Sequence, residues 1–224
     1  MAKSKADKVA MAVAEVAEQV APKKKQRRRP QEVKARVLTE ALNEFATHGF
    51  EGASAMEIAK RAHVSLPLLL YHYGSKENLW KAVIHTVVGE RTMTAVIEKA
   101  REDGLSASEQ LRRVIRHTVH SFAQNPGLHR LMTMEAHQPS DRLIWLCDTY
   151  DKQDFRNICE VILEAQSDGD VRKIDPGRLR FAIVAMAATP FAVSAEYQYL
   201  TRHNPFANAE IEHAIEMINR LVFE

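Results

Sequence analysis

The chain has 224 residues, 46% hydrophobic and 27% charged, with eight glycines and eight prolines. That composition can bury a sizeable core and excludes an intrinsically disordered chain. The formal net charge of +2 conceals an asymmetry, because residues 1–81 carry a balance of +6 and residues 82–224 a balance of −4. The basic end is therefore the end to test for nucleic acid. Only two cysteines are present, Cys147 and Cys159. On one helix they would lie about 18 Å apart, at ~1.5 Å rise per residue, so they cannot pair, which suits a reducing compartment rather than a secreted disulfide scaffold. Lys3, Lys5 and Lys8 precede an Ala/Val run in the manner of a signal peptide, but Glu15 and Glu18 interrupt it. No stretch approaches the ~20 apolar residues of a membrane span, so a cytoplasmic protein with no membrane partner is expected.

Val9, Val13, Val16 and Val20 give residues 1–21 one apolar helical side. The segment PKKKQRRRP at 22–30 follows, readable either as a solvated linker or as a DNA-contacting arm through Lys25, Arg27, Arg28 and Arg29. From Gln31 an apolar stripe of Val33, Val37, Leu38, Ala41, Leu42 and Phe45 predicts a helix that stops at His48-Gly49. Ser54, Ser65 and Ser75 can each cap a further helix, the last running from Lys76 towards Arg101. Ser106 and Glu109 make a capping box for a helix to Gln124. Helices are then expected over roughly 127–137, 141–167 and 176–199, and a final one carries Ile211, Ile215, Ile218 and Val222. No segment alternates with period two, so the fold class is all-α.

Two short helices joined by a tight turn, with a basic flank, suit reading of the major groove. Here that unit is SAMEIAKRAHVSLPLLLYHYGSKENLW at 54–80. Ser54 and Ser65 stand at helix starts, where free N–H groups meet phosphate, and Tyr71, His72 and Lys76 can donate from the far end. The stretch from Val37 to Val83 resembles the DNA-binding region of the tetracycline-repressor (TetR) family. The resemblance rests on FATHGF at 45–50, EIA at 57–59, AHVS at 62–65 and YHYGSKENL at 71–79. It departs from the family pattern at Ala53, at Leu70, and at His63, where glycine is usual. The recognition helix opens Leu66, Pro67, Leu68, with no side chain for bidentate base contacts, so base reading is expected from thymine-methyl contact, Tyr71 or DNA shape.

The resemblance implies an N-terminal three-helix DNA-binding domain with a helix-turn-helix, followed by a C-terminal helical ligand-binding and dimerisation domain. The expected divisions are a 1–30 extension, a 31–80 head and an 81–224 sensor. It further implies a homodimeric transcriptional repressor on a double-stranded DNA operator, released by a small-molecule effector. A single helix-turn-helix reads few base pairs, so pairing of two copies about 34 Å apart is expected. Ala185 with Ile211, Ile215, Ile218 and Val222 are the candidates for that seam, the alternative being a core within the chain. Arg91, His117, Phe122, Met134, Trp145 and Tyr150 are candidate pocket residues, each also readable as core or surface. Histidines His117 and His120, with His85, His129 or His137, match no recognised metal spacing. No nucleotide loop, nucleophile elbow or paired-carboxylate motif is present, so no metal, cofactor or catalysis is expected. The rival reading is a helical protein that binds DNA without sequence preference through PKKKQRRRP.

Overall fold

Serine caps and apolar stripes divide the chain into helices much where their chemistry says they should. The computed structural model describes residues 30–89 and 92–224, so the basic residues at 25–29 and Arg91 lie outside the described residues. Helix α1 covers Pro30–Gly52, α2 Ala55–Arg61, α3 Leu66–Tyr73 and α4 Lys76–Val88. Then come α5 Met93–Glu102, α6 Ala107–Gln124, α7 Pro126–Ala136 and α8 Asp141–Leu146. A π-helical turn over Cys147–Asp151 leads directly into α9, Lys152–Ser167. The chain closes with α10 Pro176–Ala192, α11 Ser194–Thr201 and α12 Asn208–Val222. The one β feature among the described residues is an isolated bridge between Val171 and Phe223.

The expected stop at His48-Gly49 is present: Gly49 takes φ 67°, a conformation open to glycine at little cost. The capping box at Ser106 and Glu109 also forms, with both of its reciprocal bonds in place. Two long helices are broken where continuity was expected. The helix from Lys76 ends at Val88, and a Cβ added at Gly89 would fall 2.2 Å from the His85 carbonyl oxygen, so only glycine fits. Thr92 then caps α5 through the Ala95 amide. The helix from Pro176, expected to run to about residue 199, does not continue far beyond Pro190. It ends at Ala192, and α11 leaves at 80°, because proline has no N–H to offer the Met186 carbonyl and loosens the following turn.

Among the described residues two apolar cores result. The first is built mainly from α1 to α4, including Phe45, Ile58, Leu69, Trp80 and Ile84, and it recruits Leu131, Leu146 and Tyr150 from far along the chain. The second surrounds α6, which packs against α5, α9, α10 and α12. Ile211, Ile215, Ile218 and Val222 are buried in this second core. They therefore do not form a surface seam, which corrects the interface expected from their periodicity. Periodicity marks an apolar face but not whose core it enters. Ala185 is exposed, as are Met217 and Leu221 on the opposite side of α12.

Candidate nucleic-acid interface and ligand cavity

The helix-turn-helix is set by local chemistry first. Ser54 caps α2 by accepting from the Glu57 amide, and Ser65 caps α3 by accepting from the Leu68 amide, each at 3.3 Å. The turn between them closes with His63 N–H to the Lys60 carbonyl and Val64 N–H to the Ala59 carbonyl. This is a Schellman ending, whose middle residue must be left-handed. His63 sits there at φ 54°, at the position where glycine would be unstrained. Arg36 fastens the same turn to α1 by donating from Nε to the Ala62 carbonyl at 2.7 Å.

A carboxylate holds α2 at both ends. Glu44 is 4% exposed, accepts from the Ser54 amide at 3.0 Å and accepts from the Arg61 guanidinium. Burial works against its charge, but the bond from Arg61, the Ser54 amide and the Arg61 charge together hold its pKa below the usual carboxylate value. Sequence reasoning missed this clamp. The available signal was a glutamate in phase with the apolar stripe of α1.

Along α3 only Leu69 is buried. Pro67, Leu68, Leu70, Tyr71 and His72 face outward, Tyr71 being 84% exposed and edge-on to His72 at 5.4 Å. Leu66 is half-buried against the first core, which weakens its expected role at the bases. The Ser54 amide is already committed to Glu44, so of its two donors only the hydroxyl proton is left for phosphate. Lys76 also has work within the chain: its ammonium donates to the carbonyls of Glu51 and Ala53 at 3.3 and 3.2 Å and lies 4.7 Å from the Phe50 ring centre. It locks α4 to the α1–α2 corner, a role the sequence did not disclose.

The far end of α4 reaches a cavity of about 310 Å³. Val87 and Val88 line it, with Thr118, Ser121 and Phe122 of α6, Leu128, His129 and Met132 of α7, and Leu143 and Leu146 of α8. Asp151, Asp154 and Ile158 line it on the other side together with Arg180, Phe181 and Ala185 of α10, so the expected seam residue Ala185 also borders the cavity. Of the expected pocket residues that the structure describes, Phe122 alone lines it. Met134 is exposed, and Trp145 packs edge-on against Trp80 and Tyr150 at 5.8 and 5.9 Å. Tyr150 is buried with its hydroxyl 2.8 Å from His85 Nδ1 on α4. His117 is half-buried on α6 but does not line the cavity. For Trp145 and Tyr150 the correction is of one kind: aromatics chosen as ligand contacts are spent on joining helices.

The cavity's polar groups differ in commitment. Asp154 accepts from the amides of Met93 and Thr94 at 2.9 and 2.8 Å and from the Thr94 hydroxyl at 2.6 Å, so it closes the start of α5. Asp151 ends the π turn and has the Cys147 thiol at 3.9 Å as its hydrogen-bond partner. Burial pushes its carboxyl above the usual range, the Arg180 charge opposes that, and Asp154 adds to it. Burial likewise pushes His129 down, towards the neutral ring.

The chain matches the family description "Bacterial regulatory proteins, tetR family" over residues 37–83 and "Tetracyclin repressor-like, C-terminal domain" over residues 108–222. It is 32% identical over 102 residues to the HTH-type transcriptional regulator RutR of Escherichia coli K12, covering 46% of this chain and 47% of that protein. It is 39% identical over 57 residues to the HTH-type transcriptional repressor SCO4008 of Streptomyces coelicolor, covering 25% of this chain and 30% of that one. The chain thus spans about half or less of the length of the curated relatives it matches. In fold it is similar to the hemolysin II transcriptional regulator HlyIIR, with a TM-score of 0.66, 18% identity and coverage of 87% of this chain and 98% of that one. AibR, in complex with isovaleryl coenzyme A and operator DNA, gives a TM-score of 0.66 at 20% identity, covering 86% and 98%. With an exposed recognition helix, a serine-capped helix-turn-helix and family matches over both parts, the chain belongs to the TetR family of bacterial regulatory proteins.

Proposed function

We propose that this chain is a cytoplasmic, homodimeric transcriptional repressor whose α3 enters the major groove of operator DNA and whose release is governed by a small molecule in the cavity. The observation that carries the reading is a single element, α4. Its first turn is tied to the head through Lys76, and its last turn, Val87 and Val88, lines the cavity. The division into a 31–80 head and an 81–224 sensor falls within this helix, so a shift at one end is delivered to the other. Tyr150, bonded to His85 and adjacent to Asp151, offers a second link between the cavity wall and the same helix. AibR, of similar fold, is seen in complex with both isovaleryl coenzyme A and operator DNA, so a fold of this kind accommodates both partners.

Contacts to DNA are assigned to Ser65, Pro67, Leu68, Tyr71 and His72, with Ser54, Leu66 and Lys76 in reduced roles, and to the basic residues Lys25, Arg27, Arg28 and Arg29 in the adjoining minor groove. For the dimer, Ala182, Ala185, Met217 and Leu221 are candidates among the exposed small and apolar residues on α10 and α12. Selection of binding duplexes from randomised DNA tests the reading. An enriched, dyad-symmetric sequence is expected, bound far more tightly than random DNA at physiological salt. Equal affinity for both, with a steep salt slope, would favour sequence-independent binding through the basic segment and sink the repressor.

A further inference from the structure

We infer that the cavity takes a small monocarboxylate with an apolar body, its anionic end held by Arg180 of α10. The inference rests on the reading of the cavity as the effector site and adds the ligand's chemistry. Arg180 lines the cavity, and its Nε is buried without a hydrogen-bond partner. Among the described residues no carboxylate lies within 4 Å of its guanidinium; its neighbours are the Phe155 and Phe181 rings, at 5.9 and 5.0 Å. A guanidinium cannot shed its proton, so this donor stays charged and unmet until an acceptor arrives. An unmet buried donor is an exception that asks for an explanation, and an absent ligand is one.

Neither carboxyl in the cavity supplies that acceptor. Asp154 is consumed by the start of α5. Asp151 makes no ion pair with Arg180, and burial favours its protonated form, in which it can donate to an entering carboxylate. An incoming anion would therefore meet one fixed N–H donor and one acid inclined to keep its proton. An amine would meet the same fixed positive charge, beside a carboxyl whose charge burial disfavours. The aliphatic part of the remaining wall, including Val87, Val88, Met132 and Ile158, offers an apolar body dispersion and burial. The volume, about 310 Å³, lies at the small end of ligand cavities.

The test uses the full-length protein and two series of matched probes: hexanoate, hexylamine and hexanol, then phenylacetate, phenethylamine and phenylethanol. Thermal shift and calorimetry are expected to show that a carboxylate raises the melting temperature and binds about tenfold more tightly than its alcohol, as a charge-assisted hydrogen bond implies, with the amine weakest. In Arg180→Gln the carboxylate should lose that advantage while the alcohol's affinity holds, and Arg180→Lys should retain part of it. Equal binding within a series, a preference for the amine, no carboxylate binding, or an undiminished advantage in Arg180→Gln overturns the proposal. The comparison within each series is made on the wild-type chain, so it stands even if Arg180→Gln fails to fold. Carboxylate binding that leaves affinity for the selected duplex unchanged would sink the cavity as a switch while keeping its ligand class.

Discussion

Glu44 and Asp151 are both carboxyls set near an arginine, one in the DNA-binding head and one in the cavity, and the fold treats them in opposite ways. Glu44 touches Arg61 and the Ser54 amide, so its charge is stabilised although it is almost wholly buried. Asp151 makes no ion pair with Arg180, and its charge is disfavoured. The head has to present α3 in one orientation, and there Glu44, set between the two ends of α2, is met from within the chain. The cavity leaves a donor and an acid open. Partners already in place give rigidity, whereas partners left out leave room for something to bind.

The sharpest way to break this comparison is through the buried face of α12. Ile218 is wholly buried in the second core, so Ile218→Asp should abolish cooperative unfolding, and even Ile218→Ala should cost about 2–5 kcal/mol in urea melts. Met217→Asp with Leu221→Asp, on the exposed side, should leave a folded chain and change only its mass by light scattering. A folded Ile218→Asp monomer would restore the seam to that face.

Next in size are the two carboxyls, which should give stability curves of opposite slope. Glu44 has a lowered pKa in the folded state, so its contribution is complete above the ordinary glutamate value of about 4.5 and is lost as pH falls through the folded value. Glu44→Gln should flatten that acid limb and cost about 1–2 kcal/mol near neutrality, less than for a fully buried pair because Arg61 is partly exposed. Asp151 has a raised pKa, so its effect runs the other way: stability is present below its ordinary value of 3.8 and declines as pH rises through the folded value. Asp151→Asn should remove that decline and stabilise the chain at neutral pH. Parallel pH profiles for the two variants would show that the carboxyls are not treated differently.

Smaller still is the left-handed turn. His63→Gly should raise stability by about 1 kcal/mol, because the position already has φ 54°, and a loss instead would mean that the imidazole itself is needed. Smallest in stability is Tyr71→Ala, expected within about 0.5 kcal/mol of the parent because the ring is exposed. The same variant should weaken binding to the selected duplex at least tenfold. Unchanged DNA affinity would remove Tyr71 from the interface.

What the sequence discloses is local. Ser54, Ser65, Ser75 and the Ser106–Glu109 box act within one helical turn, so their residue types announce them. The Glu44 clamp, the Lys76 lock and the Asp154 cap join residues 10 to 61 positions apart, and nothing in the spacing of either partner names the other. The same holds for the aromatics: Trp145 and Tyr150 can be read from sequence as ligand contacts or as mortar, and only the neighbours Trp80 and His85 decide. The apolar faces of α10 and α12 were legible, but ownership of the α12 face was not.

The π turn acts as a phase shifter. Residues 141–167 were expected to run as one helix, yet the Lys152 amide bonds five residues back, to the Cys147 carbonyl. Each residue of an α-helix turns it by about 100°. The residue absorbed by the wider turn therefore resets the azimuth of everything downstream. Removing one residue from 147–151 would give a straighter, more regular helix. It would also swing Asp154 away from the start of α5 and turn the face bearing Ile158 off the cavity. The irregularity is thus what aligns α9 with two clients at once, the amides of Met93 and Thr94 and the space beside Arg180.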